Sequence, residues 1–311
     1  MPWIQTRFAL SADLERQLRA ISARQIDRRL GPRKRRLKHR LYGRTKPGTL
    51  LKHQIPIRTD HWDVTTPGFT EVDPVSHSGN SADGLFASTV NQTDILTTWV
   101  ESRAVLGKGE AGVVAALDAM AQALPFVLKG LDSDNGSEFS HWHLLRYGQR
   151  HHIQPSRSRP YKKDDNAPIE QKNWTHVRTL VGWDRDDTPS AVAALNDLYQ
   201  HELRLYLNLF LPSVKLKGKH RVGSKLIRRY EAPKTPLQRV LDSGRGDPQK
   251  LAALQQARAT LDPFQLSTTI EHQLATIWPL ANRRHRPTAQ PPHAITRPHA
   301  RPEAAPPGRS S

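Results

Sequence analysis

The sequence predicts an α/β fold, a mixed five-stranded sheet flanked by helices, with helical additions at both ends of the chain. Three observations predict it. Short runs of β-branched and aromatic residues, bounded by turn residues, are typical of strands. Apolar residues recur at helical spacing over 110–124. A compact apolar run at 126–131 then indicates a buried strand that ends in acidic residues.

The N-terminal segment, residues 1–40, is expected to hold two helices and a basic run. Apolar spacing predicts a helix over 12–20, and Ser22 is a candidate N-cap for a second helix over 23–30. Gly31-Pro32 is expected to end that helix. Two such helices, the second rich in Arg, fit either a partial helix-turn-helix that binds DNA or an ordinary solvated pair. Residues 41–61 are expected to form a linker.

The core is predicted over 62–185. Its elements are expected in the order strand, strand, strand, helix, strand, helix, strand, helix, at 69–75, 84–91, 95–105, 110–124, 126–131, 137–148, 153 and 168–181. This is the element order of the RNase H-like fold, in which the first strand lies beside the strand after the first helix. Residues 186–280 are predicted to form a helical, basic C-terminal region, and 281–311 a disordered Pro/Arg-rich tail.

The charge of the chain indicates a polyanionic partner. It has 311 residues with 47 Lys+Arg against 29 Asp+Glu, a formal net charge of +18. Such a chain attracts nucleic acid phosphates by counterion release. No basic amphipathic helix with a broad aromatic face favours a membrane, and no apolar run reaches the roughly 20 residues that span a bilayer. The chain has no Cys, which excludes disulfides and a His/Cys zinc module.

Three carboxylates lie where predicted elements begin or end. Asp73 interrupts an apolar strand, Asp134 precedes Asn135-Gly136 after the 126–131 strand, and Glu170 starts the long helix. A charge in a buried strand is costly unless it is paired or bound to metal. Three converging carboxylates can hold two divalent cations, which catalyse displacement at phosphodiesters. Asp132 competes with Asp134, because residues two apart in a strand share a face.

The pattern of motifs resembles the DDE transposases and integrases of the retroviral-integrase catalytic core type, which include bacterial insertion-sequence transposases. The resemblance extends from about 21 to 241. It rests on the following blocks, in this order and spacing: Glu71-Val-Asp73, His77, Gly79, Asp94, Trp99, Pro125-Phe126, Asp132-Ser-Asp-Asn-Gly-Ser-Glu-Phe139, Arg157-Ser-Arg-Pro-Tyr-Lys-Lys163, Asp165-Asn166, Glu170-Gln-Lys-Asn-Trp174, Val177-Arg178 and Gly182.

The resemblance implies that Asp73, Asp134 and Glu170 are the catalytic residues and the ligands of two Mg²⁺ ions, with Mn²⁺ as a substitute. His77 either orients a metal-bound water or a phosphate or is a structural imidazole. Asn173 shares a helical face with Glu170 and either touches the ligand or braces the carboxylate. Asp164 and Asp165 are lower-ranked alternatives for the third carboxylate.

Candidate DNA contacts are the cationic residues that flank these motifs. They are Arg28, Arg29, Arg33, Lys34, Arg35, Arg36, Arg157, Arg159, Lys162, Lys163, Lys172 and Arg178.

The expected function is metal-dependent cleavage and strand transfer of a mobile element, by a homo-oligomer that acts on double-stranded DNA. The expected location is the bacterial cytosol, in association with the nucleoid. Two alternatives remain at this point. One is an inactive, truncated relic that only binds DNA, and the other is an RNase H-type nuclease that hydrolyses without joining.

Overall fold

A computed structural model of the protein describes residues 2–36, 64–107, 109–133, 138–157 and 177–283. Its core is a mixed sheet built from five strands: β1 (Phe69–Ser76), β2 (Ala87–Asp94), β3 (Val100–Leu106), β4 (Gly130–Ser133) and β5 (Gln154–Arg157). The hydrogen-bonded order is β3-β2-β1-β4-β5. β2 is antiparallel to β1 and β3, whereas β4 is parallel to both β1 and β5. The predicted mixed α/β architecture is confirmed, as is the pairing of β1 with β4.

One face of this sheet packs on two helices of the core. Helix α4 (Glu110–Ala123) follows β3, and α5 (Glu138–His151) lies between β4 and β5. Val72 and Leu131 from the sheet pack with Leu117, Met120 and Tyr147 from these helices, and all of these side chains are buried. The helical spacing in 110–124 therefore placed the correct side chains in the core.

Several strand limits differ from the prediction: the strand expected at 84–91 is Ala87–Asp94, and the one expected at 153 is Gln154–Arg157. Two further differences have a clear structural cause. The strand expected at 126–131 begins only at Gly130, and Val127 is 75% exposed. The apolar run correctly indicated burial around Phe126 and Leu128, but a strand also needs a hydrogen-bonding partner, and β1 begins at Phe69, opposite Gly130. The strand expected from Ile95 begins at Val100, because 95–97 form a turn.

Asp94 holds that turn. Its Oδ1 accepts hydrogen bonds from the Thr97 amide and hydroxyl at 2.7 and 2.6 Å, and its Oδ2 accepts from the Gly68 amide at 2.8 Å. Burial raises the pKa of this carboxyl, and the bonds from Thr97 and Gly68 lower it. Asp94 therefore has a structural role, as an Asx-type turn that joins β2 to the start of β1.

The N-terminal helices are α1 (Pro2–Arg7), α2 (Ala12–Ala20) and α3 (Ala23–Arg36). Ser22 caps α3 as predicted, because its Oγ accepts from the Gln25 amide at 3.2 Å. The predicted stop at Gly31-Pro32 is wrong, since α3 continues to Arg36. Proline has a helical φ and removes one backbone hydrogen bond, which disfavours continuation without forbidding it.

The other face of the sheet is covered by the C-terminal region. Its helices are α6 (Pro189–Gln200), α7 (Glu202–Leu205), a π-helical turn (Tyr206–Phe210), α8 (Pro236–Ser243), α9 (Pro248–Thr260), α10 (Pro263–Ile277) and a 3₁₀ turn (Trp278–Leu280). Ala104 of β3 packs against Leu195, Leu198 and Tyr199 on this side. The helical structure over 189–210 is divided after Gln200, where His201 leaves helical geometry.

A β-hairpin interrupts these helices, which corrects the prediction of a helical region over 186–280. It consists of β6 (Leu216–Val222) and β7 (Lys225–Tyr230), an antiparallel pair. Alternation in this stretch is masked by cationic residues, so the sequence did not predict strands there. The domain boundaries given above remain predictions.

Candidate active site

Asp73 lies in the middle of β1 and is partly exposed. Side chains alternate along a strand, so Glu71 and Asp73 share one face while Val72 points into the core on the other. On the neighbouring strand, Asp132 is directly opposite Glu71 in the parallel register. Glu71 and Asp132 are only 3% and 1% exposed. Three carboxylates are thus placed on one face of two adjacent strands.

Asp134 follows the last residue of β4, Ser133, and lies outside the described residues. The β1–β4 pairing therefore brings Glu71 and Asp73 close to Asp132 and to the end of β4 at Ser133. Glu170 and Asn173 also lie outside the described residues.

A polar strip continues across the sheet from Asp73. Asn91 of β2 is opposite Asp73, and Ser102 of β3 is opposite Asn91. The Ser102 hydroxyl donates to Asn91 Oδ1 at 2.8 Å, and both side chains are buried. Buried polar groups of this kind fix side-chain positions when they are hydrogen-bonded. The sequence did not single out Asn91, because one polar residue in a strand does not reveal which strand lies beside it.

Arg178 is a cation on the Asp73 side of the sheet. Its guanidinium lies 4.2 Å from the centre of the Trp183 ring. Burial lowers its pKa to about 10, while electrostatic interaction with Tyr199 and Asp73 raises it. Arg178 therefore stays protonated at neutral pH. It is predicted above as a DNA contact, and the structure places it partly buried within the electrostatic range of Asp73.

His77 is completely buried. Its Nε2 is 2.7 Å from the Thr89 hydroxyl, which is 3.0 Å from the Tyr199 hydroxyl. Burial, followed by the charge of Arg178, lowers the pKa of His77 to about 3, so the imidazole is neutral. This surrounding favours the structural alternative for His77 over a direct role with water or phosphate.

Asp186 approaches the other side of the imidazole, with Oδ2 3.7 Å from His77 Nδ1. That distance is too long for a hydrogen bond, and a neutral imidazole cannot form an ion pair. Burial raises the pKa of Asp186 to about 7, and the negative charges of Asp184 and Asp187 add to the increase. Asp186 and His77 therefore form a buried contact in which the imidazole carries no charge.

Arg185 clamps the loop between β1 and β2. Its guanidinium donates to the carbonyl oxygens of four residues in this loop at 2.7 to 3.3 Å: Ser78, Ser81, Asp83 and Leu85. Its Nε also donates to Asp187 at 2.9 Å. Gly79 has a φ of +61° and would bring a Cβ to 3.0 Å from the Arg185 side chain. The small residue at 79 is therefore explained by this clamp, which the sequence alone did not indicate.

The other candidate DNA contacts are distributed over the chain. Arg28 and Arg29 are exposed on α3, and Arg33, Lys34, Arg35 and Arg36 belong to the last turns of the same helix. Arg157 is the last residue of β5. Several candidate DNA contacts lie outside the described residues, namely Arg159, Lys162, Lys163 and Lys172. The alternative third carboxylates, Asp164 and Asp165, also lie outside them.

The donor set fits a hard divalent cation by its chemistry. The candidate ligands Asp73, Asp134 and Glu170 offer only carboxylate oxygens, which Mg²⁺ prefers. Within the described ranges, no group of three or more His, Asp or Glu side chains is arranged to hold a metal ion. Two of the three proposed ligands are outside those ranges. In the same ranges, no helix combines the length and the apolar character needed to cross a membrane.

Comparison with solved structures finds retroviral integrase cores. The catalytic core domain of BIV integrase is 16% identical with a TM-score of 0.36, and the match covers 57% of this chain and 95% of that one. The HTLV-2 integrase catalytic core domain, in complex with magnesium and in dimeric form, is 13% identical with a TM-score of 0.34, covering 47% and 90%.

Among sequences, no protein-family model matches the chain. One curated protein from Sinorhizobium fredii (strain NBRC 101917 / NGR234), the uncharacterized protein y4rM, is 38% identical over 234 residues. The aligned part covers 75% of this chain and 67% of that protein. At this identity and coverage, the chain belongs to the same family as y4rM.

Proposed function

We propose that this protein is a DNA transposase that cleaves phosphodiester bonds at the ends of a mobile element and joins them to target DNA. The observation that carries the proposal is the parallel pairing of β1 with β4, which places Glu71 and Asp73 beside Asp132 on one face of the sheet. We assign Asp134, two residues after Asp132, to the same site because of its place in the block 132–139. The family blocks at 132–139 and 170–174 support transposase chemistry over a binding role alone.

Asp73, Asp134 and Glu170 would hold two Mg²⁺ ions, which supply a charge clamp on the attacking and leaving oxygens of the phosphodiester. Asp73 presents its carboxylate on a strand whose two neighbours are both hydrogen-bonded to it, so its backbone is held in place. Arg178 contributes positive charge beside Asp73. This charge attracts a phosphate group to the same part of the sheet.

The buried groups behind Asp73 would support the site mechanically. Two short contacts join His77, which follows β1, to Thr89 of β2 and Thr89 to Tyr199 of α6. Arg185 ties the loop after β1 to the segment that follows Arg178. Side chains that position a catalytic group need to be held within about half an ångström, and these contacts provide that rigidity.

The test uses the full chain and a supercoiled plasmid that carries the DNA flanking the gene. Nicking and joining at the element ends are measured with Mg²⁺, with Mn²⁺ and with a chelator. Asp73→Asn and Glu170→Gln keep the side-chain shape and remove the charge, and we expect each to lower product formation by at least about 10³-fold. Asp197→Asn, at an exposed position on α6, is the matched control and should retain activity.

The outcomes separate the proposal from its two alternatives. Strand breaks without joined products, on DNA or on RNA–DNA hybrids, would indicate an RNase H-type nuclease. DNA binding by folded protein without any metal-dependent breaks would indicate a relic. Joined products that persist in Asp73→Asn would refute the assignment of the carboxylates.

A further inference from the structure

The hairpin of β6 and β7 is a strongly cationic surface, and the catalytic proposal makes no use of it. Between Leu216 and Tyr230 the sequence has six Lys or Arg residues, one His and no acidic residue. These are Lys217, Lys219, His220, Arg221, Lys225, Arg228 and Arg229. Among the side chains that the structure describes there, Lys217, His220, Arg221, Arg228 and Arg229 are all exposed, and none of these five forms a salt bridge within the described residues.

The register of the hairpin includes one pair of cationic residues, because Lys219 is the backbone partner of Arg228. Like charges directly opposite one another destabilise an antiparallel pair, and a two-stranded hairpin is only marginally stable in water. Such an arrangement is unfavourable in the free protein. An anionic partner removes the repulsion, so the charge pattern favours a bound state.

The base of the hairpin is anchored to the core. Lys215 Nζ donates to the carbonyl oxygens of Ile95 and Leu96, in the turn between β2 and β3, at 2.9 and 2.8 Å. Arg239 of α8 donates to the Ser213 carbonyl at 2.7 Å and to Glu231 Oε1 at 2.6 Å. The two ends of the hairpin are therefore fixed, while its strands extend into solvent.

The cations occupy both faces of the ribbon. Because paired residues share a face and neighbours alternate, Arg221 and Arg228 lie on one face and His220 and Arg229 on the other. A membrane-binding or protein-binding hairpin would separate an apolar face from a polar one. Here the exposed apolar residue Ile227 shares its face with His220 and Arg229.

A ribbon with cations on both faces fits between two rows of phosphates. The major groove of B-DNA is about 12 Å wide and admits a two-stranded ribbon. The seven residues of β6 extend roughly 20 Å at about 3.3 Å per residue, enough to follow the groove. The deep, narrow major groove of duplex RNA does not admit such an element.

We propose that the β6–β7 hairpin is a DNA-binding arm that enters the major groove and contacts both phosphate backbones through Arg221, Arg228 and Arg229. The inference deepens the proposed function, because it assigns a DNA-contacting surface outside the carboxylate-bearing sheet. This inference depends on the proposed function only in taking DNA as the polymer that the hairpin binds.

The test measures the salt dependence of binding by fluorescence anisotropy with a duplex DNA of about 30 base pairs. The arm variant is Arg221→Gln/Arg228→Gln/Arg229→Gln. The control variant removes the same charge elsewhere, with Arg150→Gln/Arg245→Gln/Arg258→Gln. Circular dichroism melting of each variant verifies folding. A duplex RNA of the same sequence and vesicles with phosphatidylserine are measured as competitors.

Each phosphate contact adds about 0.9 to the slope of log affinity against log salt, so the arm variant should lose about 2.7 from the slope and about 100-fold in affinity near 0.15 M salt. The control should lose much less, and the preference for duplex DNA over duplex RNA should fall in the arm variant alone. Equal losses of slope and affinity in the two variants would show that positive charge spread over the whole surface binds DNA, and not the hairpin in particular. Vesicles that compete as well as DNA would assign the arm to membranes, and either result overturns the proposal.

Failure of the catalytic proposal is distinguishable in the same protein. Loss of slope in the arm variant, with no cleavage by the parent chain, would support the arm and reject the transposase. Cleavage by the parent chain, with unchanged binding by the arm variant, would reject the arm alone.

Discussion

The buried contact between Asp186 and His77 gives a prediction whose size follows from the structure. Asp186→Asn replaces a carboxyl that is 3% exposed by a neutral group of the same shape. Burial raises the pKa of this carboxyl from 3.8 to about 7. The folded chain therefore binds the proton more tightly than the unfolded chain does, and stability falls as pH rises from about 4 to about 7.

The magnitude of the expected effect on stability follows from this rise in the pKa of Asp186. One pKa unit corresponds to about 1.4 kcal/mol, so ionisation of Asp186 costs about 4 kcal/mol at pH 8 and about 1.5 kcal/mol at pH 5. We expect the free energy of unfolding of Asp186→Asn to exceed that of the parent chain, with an advantage that grows by about 2–3 kcal/mol between pH 5 and pH 8. His77 contributes equally to both proteins, because its low pKa is set mainly by burial.

The assay is urea or thermal unfolding of both proteins at several pH values. An increase of that size moves the melting temperature by about 5–10 °C in a domain of this length. Asp197→Asn removes the same charge from an exposed site, where the side chain is 62% exposed, and should change stability by less than about 0.5 kcal/mol at every pH. A constant difference between Asp186→Asn and its parent from pH 5 to pH 8 would refute a raised pKa at Asp186.

Three further predictions test the packing around the sheet. Glu101 accepts from Trp99 Nε1 at 2.9 Å and from Arg204 Nε at 2.7 Å, and Arg103 Nη1 lies 3.5 Å from its Oε2. Glu101→Gln therefore removes the counter-charge of these two arginines and should destabilise the fold by about 3–5 kcal/mol in chemical unfolding. Glu101→Gln/Arg204→Met should recover part of the loss. Leu117 has no exposed surface, so Leu117→Ala should destabilise the fold by about 2–5 kcal/mol. Val127→Ala, at a position that is 75% exposed, should change stability by no more than about 0.5 kcal/mol. Similar effects of the two substitutions would contradict the packing of α4 on the sheet. Arg185→Met removes the hydrogen-bond donors to the 78–85 loop and should make that loop cleavable in limited proteolysis. Arg185→Lys should show part of this effect, because one ammonium group cannot reach four carbonyl oxygens at once.

Local sequence patterns were sufficient to predict the elements that depend on contacts between residues close together in sequence. Helix α4 follows from apolar spacing, and α3 begins at Ala23 because the side chain of Ser22 caps its first turn. Strand limits were harder to predict. Phe126 and Leu128 are apolar and buried in whole or part, but they have no partner strand, since hydrogen bonding depends on where β1 begins.

The sequence by itself determined the basic character of the chain, the order of its core elements from β1 to β5 and the position of Asp73 on a strand. These depend on composition and on periodicity, which are local. Only the tertiary structure decided that Asp132 lies opposite Glu71, that His77 is buried and neutral, and that Arg178 lies near Asp73. The physical reason is that register, desolvation and charge proximity arise between segments far apart in the chain, and no short stretch of sequence contains them.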